Sequence, residues 1–433
     1  MNHDRQPGVA SRVAAAQVAD QILHRGASLK AAMNTVLPKF KDVRDRALVE
    51  AMVFAVVRQH ARYADALEQW MSRPLAERDG VLRSLLYVGF AQLDAMKLPA
   101  HAALDATVEA VRHIQRPKHA GMVNALLRRA QRDGIPGAPS LAWPAWLRER
   151  VATAWPAQAE SIFEQSALPA PLWLRVNADT MSVESLVDDL RVEGIDAQTD
   201  AELPQAVRVA ESIPVARIPG FENGAVTVQD GSAQHVALAL TPASGLRILD
   251  ACAAPGGKAA HLHTLMPDAK LLALDVDPRR VRRMQDSFER MHLNIETRAA
   301  NALDVESWWD GALFDVIVID APCSATGIVR RQPDVLLHRR EHDLAELTVL
   351  QANLMDNLWR VLKPGGVMIY ATCSILPEEN EDQVSAFLSG TPDAQLRPLD
   401  HRFGHDTGAG SQRLTGERGM DGFFIARIEK SCR

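Results

Sequence analysis

A change of sequence pattern near Gly245 constrains the fold of this chain more than any other feature. From there on, short apolar strands alternate with helical segments, which is typical of a doubly wound parallel sheet. The predicted strands are Leu246–Leu249, Leu271–Leu274, Val316–Ile319 and Val367–Tyr370, and Gly422–Ile428 is expected to add an edge strand. The C-terminal part is therefore predicted to be an α/β, Rossmann-like domain.

The first 130 residues have a helical pattern instead. Apolar residues recur every three or four positions, which predicts amphipathic helices. The segments are Val13–Leu23, Ala47–Val57, Val81–Phe90, about His101–Arg112 and Gly121–Ala130. They predict an all-α bundle. The bundle is expected to end at Gly134–Pro139, because clustered prolines and glycines cannot continue a helix.

Between these regions the pattern is mixed. It predicts helices near Trp146–Trp155, Gln158–Gln165 and Val183–Val192, and strands near Leu172–Asn177, Ala206–Val209 and Ala225–Val228. This is a small α+β module. Because 433 residues exceed what one core usually supports, three domains are predicted, at residues 1–137, 138–225 and 226–433.

Composition narrows the class of protein. The start of the chain lacks the apolar core of a signal peptide, and no apolar stretch is long enough to span a bilayer. Four cysteines, at positions 252, 323, 373 and 432, are too scattered for a disulfide framework or a Cys-x-x-Cys zinc site. A cytoplasmic protein is expected, in which thiols stay reduced. No metal is expected.

The net charge of −6 conceals an asymmetry. Residues 1–134 carry 20 Lys/Arg against 13 Asp/Glu, whereas the rest carries 28 against 41. A basic helical block could contact the phosphates of a nucleic acid. A solvated helical surface is the alternative, and charge alone does not decide between them.

The run Asp250–Lys258 resembles a cofactor loop between a strand and a helix. Such a loop presents backbone N–H groups and a positive dipole end, and glycines permit close approach. It lacks the Ser/Thr of a phosphate-binding P-loop and is not Gly-x-Gly-x-x-Gly. Asp275 ends the next strand, where an acidic side chain can accept hydrogen bonds from ribose. A cofactor with ribose but no phosphate, S-adenosylmethionine, fits these features.

Cys323 and Cys373 each follow a predicted strand, and adjacent strand ends open onto one crevice. If the substrate is a cytosine to be methylated at carbon 5, a thiolate that adds to carbon 6 activates carbon 5, and a base must then remove the carbon-5 proton. Asp320 could hydrogen-bond the pyrimidine edge. The alternative is that either cysteine is inert core.

These motifs resemble the RNA cytosine-C5 methyltransferases of the NOL1/NOP2/Sun superfamily. The whole chain is similar to the bacterial Fmu/Sun (RsmB) branch, which acts on 16S ribosomal RNA. The most specific stretches are Asp250–Lys258, Phe314–Gly327, Arg330–Asp334, Leu362–Ser374 and Asp421–Phe424. The helical block looks like the NusB-type RNA-binding domain of this branch, and the Rossmann-like part like a class I methyltransferase domain.

The resemblance implies a role for each site residue. Cys373 would be the nucleophile, Cys323 would assist product release, and Asp320 would contact cytosine and the cofactor region. S-adenosylmethionine would be held by Cys252, Ala253, Ala254, Pro255, Gly256, Gly257, Lys258, Asp275, Asn301 and Asp320.

Three positions depart from the family pattern. Asn301 stands where the family usually has an Asp that meets the adenine, and its carbonyl can still accept a hydrogen bond from the exocyclic amine. Ala325 and Gln332 stand where Gly and His are common.

Arg330 and Arg331 are candidates for phosphate contacts near the target, with surface solvation as the alternative.

The implied activity is methylation of carbon 5 of one cytosine in 16S ribosomal RNA, at the position 967 site. The enzyme would be a monomer acting on free RNA or an early small-subunit intermediate. A transfer-RNA substrate is an alternative, and only the NusB-like block favours ribosomal RNA. An inactive RNA-binding scaffold is another, although Cys373, Cys323 and Asp275 are all intact.

Overall fold

The computed structural model describes residues 8–211 and 213–432 of the chain. Residues 1–7, which contribute to the expectation against export, lie outside the described residues. Within residues 8–211 and 213–432, no helix is both long and apolar enough to cross a membrane. The chain forms two compact units. The first contains the described residues up to Pro169 together with Val329–Arg339, and the second contains Ala170–Ile328 and Arg340 onward.

The first unit is helical. Its helices are α1 (Val9–Arg25), α2 (Leu29–Val36), α3 (Val43–Trp70), α4 (Gly80–Leu93), α5 (Ala100–His113), α6 (Ala120–Asp133), α7 (Ala145–Ala154) and α8 (Ala159–Ser166). The five predicted helices lie within α1, α3, α4, α5 and α6. Their apolar faces meet in one core around the fully buried Val53, Tyr63 and Phe90. The amphipathic pattern therefore reports the packing correctly.

A segment from much later in the chain, Val329–Arg339, completes the first unit. The Arg58 guanidinium donates to the carbonyl oxygen of Arg330 from Nε at 2.9 Å and from Nη2 at 2.6 Å. Asp334 Oδ2 accepts from the backbone N–H of Leu29, the first residue of α2, at 2.8 Å. Leu337 packs against the helical core. Sequence pattern alone does not reveal these contacts.

The second unit begins with a small antiparallel sheet. Its elements are β1 (Leu172–Val176), α9 (Val183–Val192), β2 (Ala197–Asp200), β3 (Leu203–Val209) and β4 (Val226–Val228), in the strand order β2-β3-β1-β4. The sequence predicts β1, α9, β3 and β4. It misses β2 because none of the side chains of that strand is buried.

The larger sheet has nine strands, in the order β11-β12-β13-β9-β8-β5-β6-β7, with β10 also paired to β13. The elements are α10 (Gly231–Leu238), β5 (Arg247–Asp250), α11 (Gly257–Leu265), β6 (Lys270–Asp275), α12 (Pro278–Arg290), β7 (Glu296–Ala299), α13 (Val305–Trp308), β8 (Phe314–Asp320), α14 (Val335–His338, in the first unit), α15 (Glu341–Trp359), β9 (Leu362–Thr372), α16 (Glu381–Gly390), β10 (Ala394–Arg397), β11 (His405–Asp406), β12 (Ser411–Arg413) and β13 (Phe423–Lys430). Strands β7, β6, β5, β8 and β9 are parallel. This confirms the predicted Rossmann-like sheet.

One prediction about this sheet is wrong. The closing strand was expected at an edge, but β13 pairs with β9 on one side and with β10 and β12 on the other. The chain after β9 returns to cover β13, and the fully buried Phe424 and Ala426 fit this interior position. The division into three domains at residues 137 and 225 stays a prediction.

The register of the parallel strands brings three carboxylates together. Asp250 pairs with Val318 of β8 and Ala273 of β6. Asp320 and Asp275 follow these partners by two positions. Since every second residue of a strand lies on the same face, all three acidic residues lie on one face at the carboxyl edge of the sheet.

Candidate active site

The cofactor loop, residues 251–258, runs from the end of β5 into α11 and includes the first two residues of that helix. Gly256 has φ 99°, a left-handed conformation that favours glycine. A Cβ atom there would lie 2.8 Å from Met284 Cγ and 2.9 Å from Phe288 Cε1. Gly256 is thus required both by its backbone angle and by the close approach of α12.

Backbone hydrogen bonds hold this loop. The N–H of Ala253 donates to the carbonyl oxygen of Leu274 at 2.7 Å, and the N–H of Gly256 donates to Ala253 at 2.7 Å. Arg280 Nη2 donates to the carbonyl oxygen of Ala254 at 2.7 Å. The first hydrogen bond of α11 runs from Ala260 to Gly256. The backbone N–H groups that come before Ala260 lie ahead of this first helical hydrogen bond. They are therefore placed to bind a carboxylate at the start of the helix.

The remaining predicted loop residues differ in exposure. Ala253 and Ala254 are buried and Pro255 is exposed. Cys252 is half-buried and packs against the core beneath the sheet. Burial, followed by the charge of Asp250, raises the pKa of Cys252. Cys252 is therefore a neutral thiol.

Asp275 is the last residue of β6, and Asn301 follows the neighbouring strand β7. The Asp275 side chain is buried, accepts a hydrogen bond from the N–H of Asp277 at 3.0 Å and lies 3.3 Å from Arg280 Nη1. Asn301 is exposed, and its side-chain oxygen accepts from the N–H of Leu303 at 3.1 Å. Asp275 is thus held rigidly, whereas the Asn301 side chain caps a local turn.

Lys258 links the cofactor loop to the end of β8. Its ammonium donates to Asp320 Oδ2 at 2.5 Å and lies 5.4 Å from the centre of the Phe423 ring. Burial acts to lower the pKa of Lys258, but the charge of Asp320 and the hydrogen bond to it outweigh that effect and raise the pKa. Cys373 acts in the same direction. Lys258 is therefore a fixed positive charge close to Cys373.

Sequence reasoning did not assign a role to Asp250, which is fully buried at the end of β5. Burial raises the pKa of Asp250 to about 7, Lys258 opposes this shift, and Asp320 adds to it. A charged residue at the last position of a buried strand was the available signal. This carboxyl group is neutral in part of the molecules at neutral pH.

The structure brings the two predicted thiols into contact. Ala371 of β9 pairs with Asp320 of β8, so the residues that follow these strands are neighbours. Cys323 Sγ lies 3.4 Å from Cys373 Sγ. The hydrogen bond with Cys373, followed by burial, raises the pKa of Cys323 well above its usual value. Cys323 therefore keeps its proton, whereas Cys373 lies near the positive charge of Lys258.

Buried polar side chains brace the two thiol loops, residues 321–326 after β8 and 373–376 after β9. The hydroxyl groups of Ser324 and Ser374 lie 3.2 Å apart, and each lies next in sequence to a cysteine. Asn380 Nδ2 donates to the carbonyl oxygen of Ser374 at 3.1 Å and to Gln412 Oε1 at 2.7 Å. These residues were not among the predicted site residues, because their role depends on partners distant in sequence.

The two arginines proposed as phosphate contacts differ. The side chain of Arg330 is buried, with 2% of the residue exposed. Arg331 is half-buried. Burial argues against Arg330 as a phosphate contact and leaves Arg331 as the candidate.

Family models match almost the whole chain. The model described as 16S rRNA methyltransferase RsmB/F matches residues 237–429. The NusB family model matches residues 9–132, and a ferredoxin-like domain model of RsmF/B-like methyltransferases matches residues 143–216.

Similar proteins are known from sequence and structure. "Ribosomal RNA small subunit methyltransferase B" of Xanthomonas campestris pv. campestris is 53% identical over 427 residues, covering 98% of each chain. The protein of the same name from Klebsiella pneumoniae is 40% identical and covers 97% of this chain and 98% of its own. A methyltransferase homologue from Pyrococcus horikoshii, known from a crystal structure, is 30% identical in sequence. The two structures match with a TM-score of 0.59 over 66% of this chain and 95% of that one.

The fold and these matches define the class: an S-adenosylmethionine-dependent ribosomal RNA methyltransferase. Its sheet is Rossmann-like, and a NusB domain and a ferredoxin-like domain precede it in the chain. The chain belongs to the 16S rRNA methyltransferase RsmB/F family. The resemblance inferred from the sequence is confirmed, and S-adenosylmethionine is the cofactor that this membership indicates.

Proposed function

We propose that this protein methylates carbon 5 of a specific cytosine in 16S ribosomal RNA through a transient covalent bond between Cys373 and carbon 6. The observation that carries the proposal is the 3.4 Å contact between Cys323 and Cys373, beside the Lys258–Asp320 pair. Cys373, near the positive charge of Lys258, supplies the nucleophile, and Cys323, whose pKa is raised, supplies a neighbouring thiol that keeps its proton.

The chemistry requires a nucleophile because carbon 5 of cytosine is weakly nucleophilic. The Cys373 thiolate adds to carbon 6, a sulfur–carbon bond forms, and the ring electrons become available at carbon 5. When bound, S-adenosylmethionine supplies the methyl group that carbon 5 acquires. A base then removes the carbon-5 proton, the ring double bond returns, and the sulfur–carbon bond breaks with its electron pair on Cys373.

Other residues hold the reactants in this proposal. Asp320, fixed by Lys258, accepts a hydrogen bond from the pyrimidine edge. The cofactor lies on the loop of residues 252–258, with Asp275 and Asn301 towards its nucleoside. The residues fit S-adenosylmethionine because the acidic side chains of Asp250, Asp275 and Asp320 lie on one face beside the loop, and the start of α11 fits a carboxylate.

The basic N-terminal block suits the RNA backbone. It carries 20 Lys/Arg against 13 Asp/Glu over residues 1–134, and the NusB model matches residues 9–132. The target cytosine must be unstacked to reach the thiols, which is least costly in a loop. The family resemblance points to cytosine 967. The enzyme is proposed to act as a monomer, and its scattered cysteines suit a reducing cytoplasm. The proposed domain limits are residues 137 and 225.

Bisulfite sequencing of ribosomal and transfer RNA from cells with and without this protein tests the proposal. Protection of one cytosine in 16S ribosomal RNA from bisulfite conversion should be lost when the gene is deleted and should return with the intact gene. Loss of a transfer-RNA mark instead would move the substrate to the alternative class. An unchanged 16S pattern would contradict the proposal.

A further inference from the structure

Glu379 is a buried acidic residue that the mechanism above does not use. It is 0% exposed and lies in the turn Pro377–Glu379 that follows the second thiol loop. Its Oε1 accepts from the N–H of Ser324 at 2.7 Å and from Gln351 Nε2 at 3.2 Å. Its Oε2 accepts from the Ser324 hydroxyl at 2.5 Å. Three donors therefore converge on this carboxylate.

The hydrogen bonds of Glu379 reach both thiol loops. The Ser324 hydroxyl lies 3.2 Å from that of Ser374, and Thr326 Oγ1 lies 3.1 Å from Ser374 Oγ. Ser374 Oγ also accepts from the N–H of Leu376 at 3.0 Å. One buried carboxylate thus anchors the residue after Cys323 and, through hydroxyl groups, the residue after Cys373.

The charges around Cys323 come from several elements. Cys373, directly after β9, is its hydrogen-bond partner, and the charge of Glu379 acts on it from the turn that follows. Tyr370 of β9 shares this environment, since burial, Cys323 and Glu379 raise its pKa. Asp320 precedes the first thiol loop and is paired with Lys258, whose charge lies near Cys373.

The hydrogen bond with Cys373 and burial raise the pKa of Cys323 most, and the charge of Glu379 adds to them. Cys373 lies on the side of Lys258. The two adjacent sulfurs therefore have opposite neighbours, a carboxylate for Cys323 and an ammonium for Cys373.

We propose that Glu379 is a positioning residue that keeps Cys323 a neutral thiol and aims its S–H at the sulfur of Cys373. Its consequence for catalysis rests on the proposed function. When the bond between Cys373 and carbon 6 breaks, its electron pair returns to the Cys373 sulfur, and the Cys323 S–H donates a hydrogen bond to that thiolate. Glu379 would thereby favour release of the methylated RNA.

The test measures the thiols of the full-length protein without RNA. Cys323 is alkylated with iodoacetamide over a range of pH, and the extent is read from its own peptide by mass spectrometry. In Glu379→Gln, an isosteric change that removes the charge, the pH midpoint for Cys323 should fall by about one unit. Glu378→Gln, which changes the half-buried neighbouring carboxylate, should leave the midpoint unchanged.

A second variant separates charge from packing. Ser324→Ala removes one hydrogen bond to Glu379 but leaves the charge, so its midpoint should stay near that of the unmodified protein. An unchanged midpoint in Glu379→Gln, or an equal fall in Ser324→Ala, would overturn the proposal. If Glu379→Gln does not fold, Glu379→Asp is the substitute. It shortens the side chain by one methylene group, moves the charge away from Cys323 and should lower the midpoint by about half a unit. An unchanged midpoint there would also overturn it.

With RNA added, Glu379→Gln should accumulate more covalent protein–RNA adduct than Glu378→Gln. Because the alkylation assay needs no RNA, the proposal for Glu379 and the proposed methylation can fail independently.

Discussion

The cofactor loop and the two thiol loops lie at the same edge of one sheet, but they are held in different ways. The cofactor loop is fixed mainly by its own backbone, through the left-handed Gly256 and through N–H groups that donate within the loop and to β6, and Arg280 adds one side-chain hydrogen bond. The thiol loops are fixed by buried side chains, chiefly Glu379 and Asn380 from the chain that follows β9.

This difference shows how two parts of one site depend on the sequence. A loop held by backbone geometry needs particular small residues at fixed positions. A loop held by side chains needs polar partners that can be distant along the chain, and each buried partner must be satisfied. Substitutions should therefore act locally in the cofactor loop and through distant partners in the thiol loops.

The largest expected effect is in the second thiol loop. Cys373→Ala removes the proposed nucleophile, so methyl transfer should fall by ~10⁴-fold or more. Cofactor affinity should stay within a few-fold, because the backbone-held loop is untouched. Transfer of labelled methyl groups to 16S RNA and calorimetric titration of S-adenosylmethionine measure the two effects. Retained turnover would exclude Cys373 as the nucleophile.

A change in the first thiol loop should impair a later step, the release of the product from Cys373. In Cys323→Ala, the Cys373 adduct can form but its release loses the neighbouring S–H, so turnover should fall by about 100-fold or more. A protein–RNA band should survive denaturing electrophoresis, and Cys373→Ala added to this variant should abolish it. Lost methylation without such a band would mean that Cys323 acts before the adduct forms.

The cofactor loop offers a matched pair of glycines. Gly256→Ala places a Cβ 2.8 Å from Met284 Cγ at φ 99°, so the variant should lose about 3 kcal/mol of stability. It should also bind S-adenosylmethionine about tenfold more weakly. In Gly257→Ala the new Cβ would lie 3.8 Å from Gln229 Cδ, an ordinary van der Waals contact, and stability should change by less than about 1 kcal/mol. Thermal unfolding and cofactor titration compare the two, and equal losses would refute the backbone argument.

The smallest expected effect concerns the backbone of the first thiol loop. Ala325 has φ 62°, a left-handed conformation in which an alanine is disfavoured. Ala325→Gly should stabilise the protein by about 0.5 kcal/mol, because relief of strain exceeds the added freedom of the unfolded chain. Urea unfolding measures the change, and a loss of stability would show that Ala325 makes contacts that outweigh the strain.

Local sequence was sufficient for much of the fold and for part of the site. The helical periodicity located α1, α3 and α4 because their apolar faces pack in one core. The strand-end rule placed Cys323 and Cys373 in one crevice, and the structure puts their sulfurs 3.4 Å apart. Both inferences use patterns that span fewer than about twenty residues.

Other features could not be read from local pattern. Glu379 lies 55 residues from Ser324, and nothing in its neighbourhood distinguishes it from an exposed acidic residue. The interior place of β13 depends on where the chain returns after β9. Asp250 carries a signal, a charge at the end of a buried strand. Its raised pKa depends on burial and on Asp320 and Asp275 from the two neighbouring strands, and Lys258 opposes the shift.

The segment Val329–Arg339 has a consequence for biosynthesis. The contact between Asp334 and the N–H of Leu29 joins residues 305 positions apart, and the contact between Arg58 and Arg330 spans 272. A ribosome translating this messenger finishes α1–α8 long before it makes those partners. During synthesis, the start of α2 therefore lacks its carboxylate partner until the ribosome has added Asp334.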